Sequence, residues 1–285
     1  MLPIKKIYID TRFKSSDSVS HSDFNIDLPT TCLMPEDTGF YIDDVCIPHS
    51  FYTIETNVND QLQYVYHNST RTVTIPEGYY NITTLATAIA DGMNTAIGFA
   101  LVEPEVNLKT NTLKISLTLA FSTGQFNILT DDEITSLSTK KRSMNAVLKN
   151  FTSKGVNSSP LFVSGWIDLN PLRNLYLSCS GLGNFNTMTL SGNRSITKQI
   201  PVNAGPGEMI FDQTVTGMDY LDCSGQTLSR ISFQLKDAQG KLINLHGSHF
   251  SFSIVFSRVQ NGTRTFVWNL VIYNGKKTNN YSRTS

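Results

Sequence analysis

Alternating apolar and polar positions dominate the last third of the chain. Residues 226–256 hold two such series, separated by a polar interruption at 237–240, and a third alternating run spans 266–273. The apolar members of the first two series are Leu228, Ile231, Phe233, Leu235, Phe250, Phe252, Ile254 and Phe256. A period of two residues is typical of strands that bury one face. The pattern predicts a closing β meander whose aromatic faces need a second sheet to cover them.

Three alternating runs near the start of the chain predict three further strands. The first spans residues 5–13 and the second spans 24–28, where Pro29 follows. The third spans 39–47 and ends at Pro48. Proline lacks the N–H that a sheet ladder needs, so we expect the second and third strands to stop at these positions.

The middle of the chain has mixed periodicity. Short alternating runs occur at 62–66, 72–75, 99–106, 112–119 and 126–129. Residues 81–94 instead repeat apolar side chains every four positions, at Leu85, Ile89 and Met93, which predicts a helix capped by Asn81 or Thr83. Thr130 and Glu133 have the spacing of a capping box for a second helix.

Strand patterns return after residue 159, at 161–169, 174–179, 196–202, 209–211 and 220–221. Three strands before the mixed segment and five or six after it approach the eight strands of a jelly roll. The sequence thus predicts a mainly β protein, a single jelly-roll β-sandwich with an inserted small α+β domain. The expected division is 1–56 and 159–274 for the jelly roll, 57–158 for the insertion, and 275–285 for a disordered tail.

Composition excludes some classes of function. Charged residues make up 16% of the 285 residues and the formal net charge is zero, which argues against electrostatically driven nucleic-acid binding. Two interpretations of the weakly charged surface stay open: a Ser/Thr-rich β protein, or a subunit with large contact surfaces. No signal peptide and no run of about 18 apolar residues is visible. We therefore read Cys32, Cys46, Cys179 and Cys223 as free thiols in a reducing compartment, rather than as a zinc site or disulfides.

The sequence contains no recognisable catalytic motif. His246 and His249 are the best candidates for a site, but two histidines in a turn lack a third metal ligand. Asp43 and Asp44 are adjacent in a strand, where successive side chains point to opposite faces, so we expect no facing carboxylate pair. The basic triplet at 140–142 is typical of a solvated patch. We predict no catalytic, cofactor-binding or metal-binding residues, and a protein that is not an enzyme.

Several blocks of the sequence resemble one family of viral proteins. They are IYIDTRFKSSDSVSHSDFNIDLP, FYIDDVCIPHSFYTIE, IPEGYYNITTLATAIADGMN, LRNLYLSCSGLGNFNT and the passage 219–256. In this order they resemble the penton, or minor capsid, proteins of polinton-like and adintovirus-like DNA viruses, relatives of the virophages. The resemblance extends over nearly the whole chain, and no single block is a chemical signature.

The resemblance implies a structural role in a virion. Such proteins are expected to form pentamers that plug the fivefold vertices of an icosahedral shell, beside a double-jelly-roll major capsid protein, after assembly inside the host cell. The inserted domain would lie outermost and the chain ends near the shell interior. Basic residues at those ends either touch packaged DNA weakly or are solvated: Lys5, Lys6, Lys276, Lys277 and Arg283.

A β-sandwich binding module for carbohydrate or protein is the alternative. Trp166, Tyr79 and Tyr80 would be its stacking platforms. A vertex protein predicts a stable ring, whereas a binding module predicts a monomer or dimer with a ligand pocket.

Overall fold

The computed structural model describes residues 2–118, 126–136, 142–150, 156–158, 160–170, 172–182, 187–190, 192, 195–215 and 219–258. The strands of these segments are β1 (Lys6–Asp10), β2 (Asp23–Leu33), β3 (Thr38–Pro48), β4 (Gln61–Tyr66), β5 (Ser69–Thr74), β6 (Val102–Asn107), β7 (Thr112–Leu117), β8 (Phe126–Ile128), β9 (Val156–Ser158), β10 (Leu161–Val163), β11 (Asn174–Ser180), β12 (Ile196–Pro201), β13 (Met209–Asp212), β14 (Leu221–Asp222), β15 (Thr227–Lys236) and β16 (Ser251–Arg258). The α-helices are α1 (Ile82–Ile97), α2 (Asp131–Ser136) and α3 (Asn145–Leu148), and a 3-10 turn spans Thr11–Phe13.

Eight long strands form a jelly-roll sandwich of two sheets, and the two-residue β14 adds a fifth strand to one of them. Sheet 1 has the order β1-β16-β3-β13, with the short β14 also paired to β3, and sheet 2 has the order β12-β11-β15-β2. The chain crosses from one sheet to the other at every connection between these eight strands except that between β11 and β12. The predicted fold class is confirmed, with three sandwich strands before the insertion and five after it.

The aromatic side chains of β15 and β16 face each other across the sandwich. Phe233 of β15 meets Phe252 of β16 edge-on, with ring centroids 5.0 Å apart, and both are buried. The two strands lie in different sheets: β16 pairs with β1 and β3, whereas β15 pairs with β11 and β2. The predicted meander is therefore wrong: the strands cover each other. Its third run, 266–273, and the tail 275–285 lie outside the described residues.

The sequence predicted that the second strand stops at Pro29, but β2 continues to Leu33. The pairing with β15 shifts register here: Leu228 opposes Cys32, whereas Arg230 opposes Asp27. Pro29 lies in this irregularity of an edge strand, where a missing N–H is tolerated.

A second hydrophobic cluster occupies the segment between β3 and β11. It is built by α1 and two small sheets, β6-β7-β10-β9 and β5-β4-β8. β10 was expected in the second part of the jelly roll, but it pairs with β7 and β9. Phe162 of β10 and Ile167 are buried in this second cluster. The assignment of 161–169 to the jelly roll is therefore wrong, since their apolar side chains pack with the insertion.

Asn81 caps α1 through a reciprocal pair of hydrogen bonds. The Thr84 N–H donates to the Asn81 side-chain oxygen (2.8 Å), and the Asn81 N–H donates to the Thr84 hydroxyl (3.0 Å). Leu85, Ile89 and Met93 are buried along one face, as predicted. The capping box of α2 is also confirmed, because the Thr130 N–H donates to the Glu133 carboxylate (2.7 Å) and the Glu133 N–H donates to the Thr130 hydroxyl (3.4 Å).

Removing the α1 cap is expected to destabilise the insertion modestly. Asn81→Ala leaves the Thr84 N–H without its acceptor and lowers the free energy of unfolding by about 1 kcal/mol. Urea unfolding of the full chain measures the change. Thr83→Ala, which alters the other residue considered as a cap, is the control and should have a smaller effect. Equal losses in the two variants would contradict the assignment of Asn81 as the cap.

Candidate assembly surfaces

His246 and His249 lie in the connection between β15 and β16. His246 adopts a positive φ of 49°, and its ring stacks on Tyr52 with centroids 3.9 Å apart. Among the residues that the structure describes, no group of three His, Cys, Asp or Glu side chains is arranged to hold a metal ion. The geometry of His246 is that of a packed turn residue.

Asp43 and Asp44 converge on one cation, contrary to the expectation that they point to opposite faces. The Lys6 ammonium lies 2.6 Å from Asp44 and 3.4 Å from Asp43. The pairing of β16 with β3 shifts register beside these residues, and Asp44 has a positive φ of 50°. This irregularity turns both carboxylates toward β1. The Lys6 hydrogen bond lowers the pKa of Asp44 below its ordinary value, so the cluster is an ion pair that fastens β1 to β3.

The sequence predicted a solvated basic patch at 140–142, but Arg142 is paired with a buried carboxylate. Its guanidinium donates to the buried Asp60 carboxylate at 3.1 and 2.5 Å. Burial raises the pKa of Asp60, but the Arg142 hydrogen bonds and the Asn57 N–H outweigh it, so the pKa of Asp60 lies below its ordinary value. Lys140 and Lys141 lie outside the described residues. The pair joins the segment before β4 to the segment before α3.

A buried ion pair connects β12 to β13 at one side of the sandwich. Sequence patterns did not reveal it. The Lys198 ammonium of β12 lies 3.3 Å from the Asp212 carboxylate of β13, and both side chains are 4% exposed. The ammonium also donates to the Thr214 carbonyl (2.5 Å). Because β12 is an edge of sheet 2 and β13 an edge of sheet 1, this pair connects the two sheets. Alternation in β12 predicted no partner for a lysine at this position.

The four cysteines are free thiols of unequal burial. Cys179 and Cys223 are buried, and Cys32 and Cys46 are half-buried. Burial raises the pKa of Cys223 to about 12 and also raises the pKa of Cys179. Burial also raises the pKa of Cys46.

Thiol modification is expected to separate these cysteines. A thiol reagent at pH 8 should modify Cys32 first and Cys46 more slowly, because the thiolate is the nucleophile and needs solvent access. Cys179 and Cys223 should react only on unfolding. The control Cys32→Ser should remove the fastest phase of the reaction. A single rate for all four thiols in the folded protein would contradict this burial.

Large exposed apolar side chains are found at both sides of the sandwich. We call the side formed by β1 and β2 the first edge and the side formed by β12 and β13 the second edge. The first edge exposes Tyr8, Phe13, Val19 and Leu33. The second edge exposes Met188, Leu190, Met209 and Phe211. Large apolar groups at sheet edges are unusual on a monomer, where edge strands are normally shielded by charge or cover.

Each edge also contains a concave surface. A groove of about 770 Å³ follows the first edge between β1 and β2. A groove of about 430 Å³ lies beside β12 of the second edge and is lined by the 187–190 segment, β12, Tyr176 of β11 and Leu221. The two edges are different surfaces of one molecule, which is the geometry that a closed ring requires.

Two of the three residues considered for ligand stacking, Tyr79 and Tyr80, already have local partners. The Tyr79 hydroxyl donates to the His49 carbonyl (2.8 Å), and the Tyr79 ring meets Tyr52 edge-on. The Tyr80 hydroxyl donates to the Pro76 carbonyl (2.8 Å). Trp166 is 56% exposed in the segment that follows β10.

The basic residues of the chain ends are only partly described. Lys6 is engaged by Asp43 and Asp44. Lys276, Lys277 and Arg283 lie outside the described residues, so a contact between the chain ends and DNA stays a prediction. No helix of the described residues is long and apolar enough to cross a membrane.

Comparison with solved structures shows a similarity of fold to a viral capsid protein. No model of a known protein family matches the chain, and no curated protein matches it. The fold is similar to a crystal structure of the selenomethionine-labelled mavirus penton protein, with a TM-score of 0.51 and 10% sequence identity. The match covers 89% of this chain and 100% of that chain. The chain thus shares the fold of a viral penton protein along most of its length.

Proposed function

We propose that this protein is a structural capsid protein that forms the pentameric vertex, or penton, of an icosahedral virus shell. The observation that carries the proposal is the pair of apolar edges on opposite sides of a jelly roll whose fold is similar to that of the mavirus penton protein. The proposal agrees with the expectation drawn from the sequence blocks that resemble pentons of polinton-like and adintovirus-like viruses.

The proposed ring joins the first edge of one subunit to the second edge of the next. Such a contact is heterologous, so the same two surfaces repeat around the ring until it closes. A stable contact of this kind buries more than about 1,000 Å². Tyr8 and Phe13 on one edge, and Met209 and Phe211 on the other, supply apolar groups that solvent otherwise surrounds.

The remaining parts of the chain have roles that follow from this placement. The insertion, 57–158 in the division made from sequence, lies outermost in the proposed arrangement, and the chain ends face the shell interior. The partners are four further copies of the chain and a double-jelly-roll major capsid protein. The location is the virion, with assembly inside the host cell. The proposed role needs no catalysis and no cofactor.

Electron microscopy of the purified full chain tests the symmetry of the proposed assembly. Class averages with fivefold rotational symmetry, and one insertion projecting from each subunit, support the vertex function. Particles of the size of a single chain, or rings with another number of subunits, overturn it. The binding-module alternative would gain support from single chains that bind an immobilised glycan.

A further inference from the structure

Leu190, with a relative exposure of 110%, is the most exposed of the large apolar side chains that the structure describes. The Gly192 N–H donates to the Thr189 carbonyl (3.0 Å), so Leu190 occupies the corner of a tight turn. Such corners usually carry Gly, Pro, Asn, Asp or Ser. Met188, two positions earlier, is also exposed. The 187–190 segment therefore presents an apolar projection to solvent.

This segment is fixed along the outer side of β12. The Thr187 hydroxyl donates to the Ile196 carbonyl (2.7 Å), and the Ser195 N–H donates to the Thr187 carbonyl (3.2 Å). The other side of β12 is paired with β11. The segment is therefore the outermost element of the second edge, and its hydrogen bonds hold Leu190 in place there.

The second edge offers side chains rather than a free strand. The 187–190 segment borders β12, and the Phe211 carbonyl of β13 accepts a hydrogen bond from the Asn203 side-chain amide (3.0 Å). A strand that extended either sheet at this edge would have to displace these groups. A contact made by the second edge is therefore expected to use projecting side chains.

The groove of the first edge has an apolar floor and a charged rim that is already neutralised. The apolar residues that line it include Ile7, Ile9, Ile26, Leu28 and Phe252. Three carboxylates also line it, each beside a cation of its own subunit: Asp10 with Arg12 (2.6 Å), Asp44 with Lys6 (2.6 Å) and Asp27 with Arg230 (3.7 Å). An uncharged occupant fits this groove best, and the 187–190 segment, Thr-Met-Thr-Leu, is uncharged.

The exposed apolar area agrees with a contact between copies of the chain. At about 200 Å² for a large side chain, the exposed apolar residues named for each edge contribute roughly 500–600 Å². The two edges together supply more than half of the roughly 1,600 Å² that a standard interface buries. Leu190 and Met188 account for most of the contribution of the second edge, so a contact that left them in water would lose its main apolar part.

We propose that Leu190 of one subunit inserts into the groove between β1 and β2 of the neighbouring subunit, where Met188 packs against Phe13 at the rim. The occupant of the groove is thus a second copy of the chain. This inference rests on the proposed ring and specifies the contact within it. Each subunit contributes one projection and one groove on different edges, as a heterologous contact requires.

Disulfide trapping tests the insertion directly. Leu28→Cys and Leu190→Cys are combined in a full chain in which Cys32→Ser and Cys46→Ser remove the accessible native thiols. Mild oxidation should link residue 190 of each subunit to residue 28 of the next, because insertion brings the Cα atoms within the about 4–7 Å that a disulfide spans. Denaturing gels without reductant should show a ladder from two to five chains. The matched control, Leu108→Cys with Leu190→Cys in the same background, should show nothing above two chains.

The native mass of the same sample before oxidation separates this inference from the proposed function. A species of five chains that yields no ladder overturns the insertion of Leu190 and leaves the ring on other contacts. A ladder that continues beyond five chains, without a five-chain species, supports the insertion and overturns the ring. Single chains without a ladder overturn both. Linked pairs alone overturn the insertion, because identical positions would then meet.

Truncation of the projection provides a second measurement. Leu190→Ser changes a side chain that is fully exposed in the single chain, so the variant should fold normally. The concentration at which the ring dissociates should rise roughly tenfold or more, because the groove loses its apolar occupant. Leu108→Ser, at an exposed leucine of the insertion, is the control and should leave this concentration unchanged. Equal dissociation of Leu190→Ser and the unmodified chain overturns the proposal.

Discussion

Phe13→Glu and Phe211→Glu are each expected to convert the proposed ring into single chains. Phe13 is 78% exposed on the first edge and Phe211 is 59% exposed on the second edge. Neither side chain supports the core, so both variants should fold. A carboxylate at either position is buried without a partner when the subunits meet, which costs several kcal/mol per contact.

The mixture of the two variants is the informative experiment. Each variant retains one intact edge: the second edge in Phe13→Glu and the first edge in Phe211→Glu. In a heterologous contact these two intact edges fit each other, so the equimolar mixture should form a dimer with one chain of each variant and nothing larger.

Analytical ultracentrifugation measures the species in each sample. Leu108→Glu, at an exposed leucine in the connection between β6 and β7 of the insertion, is the control and should assemble like the unmodified chain. A dimer of either variant alone would mean that identical edges meet each other. Unchanged assembly of both variants would place the contact on another surface.

Arg142→Met is expected to lower the free energy of unfolding by about 3–5 kcal/mol. Asp60 is 1% exposed, and removing its guanidinium partner leaves a carboxylate buried without a cation. Double substitution with Asp60→Asn should recover part of the loss, since the buried charge is then absent. Thermal or urea unfolding of the full chain measures these differences.

The free energy of unfolding lost in Arg142→Met should become smaller as the pH falls. Because the pKa of Asp60 is lowered in the folded protein, the pair contributes stability that is fully present above the unfolded value of about 3.9. This stability is lost as the pH falls through the folded pKa. Without Arg142, burial raises the pKa of Asp60. Protonation at lower pH then removes the unpaired buried charge and lessens the destabilisation of the variant. The difference between Arg142→Met and the unmodified chain should therefore shrink as the pH falls from 7 toward 4.

Lys114→Met is the matched control for this pair. Lys114 lies 2.6 Å from Glu105, but both side chains are largely exposed. Exposed pairs contribute about 0–1 kcal/mol, so the control should change little. A loss in Arg142→Met no larger than in Lys114→Met would mean that the Asp60 pair does not stabilise the insertion.

Alternation of apolar residues predicted the strands of the sandwich but not their partners. The pattern of β15 and β16 identifies which side chains are buried, and Phe233 and Phe252 are indeed buried. It carries no information about which strand lies alongside, so β15 and β16 appeared to be neighbours. For the same reason, the pattern of 161–169 suggested the jelly roll rather than the insertion, because Phe162 fits either core by composition.

Local irregularities account for the other differences. Asp43 and Asp44 would point apart in a regular strand, and only the register shift and the positive φ at Asp44 bring both to Lys6.

The partners of Arg142 and Lys198 are 82 and 14 positions away along the chain, respectively. Such pairs depend on tertiary contacts, which periodicity does not encode.

The candidate assembly surfaces were the least predictable feature from sequence. Tyr8 alternates with Ile7 and Ile9 as in any half-buried strand, and its exposure has meaning only because β1 is an edge. The exposure of Phe211 likewise has meaning only because β13 is an edge strand of sheet 1. Low charge indicated the possibility of large contact surfaces, and the strand order shows which exposed apolar residues lie at sheet edges.

The native mass of the purified full chain across a dilution series tests the central claim most directly. The vertex function predicts a stable species near five times the 31.7 kDa chain mass, persisting over a wide range of concentration. A species with the mass of one chain at every concentration would contradict the ring and the vertex function built on it.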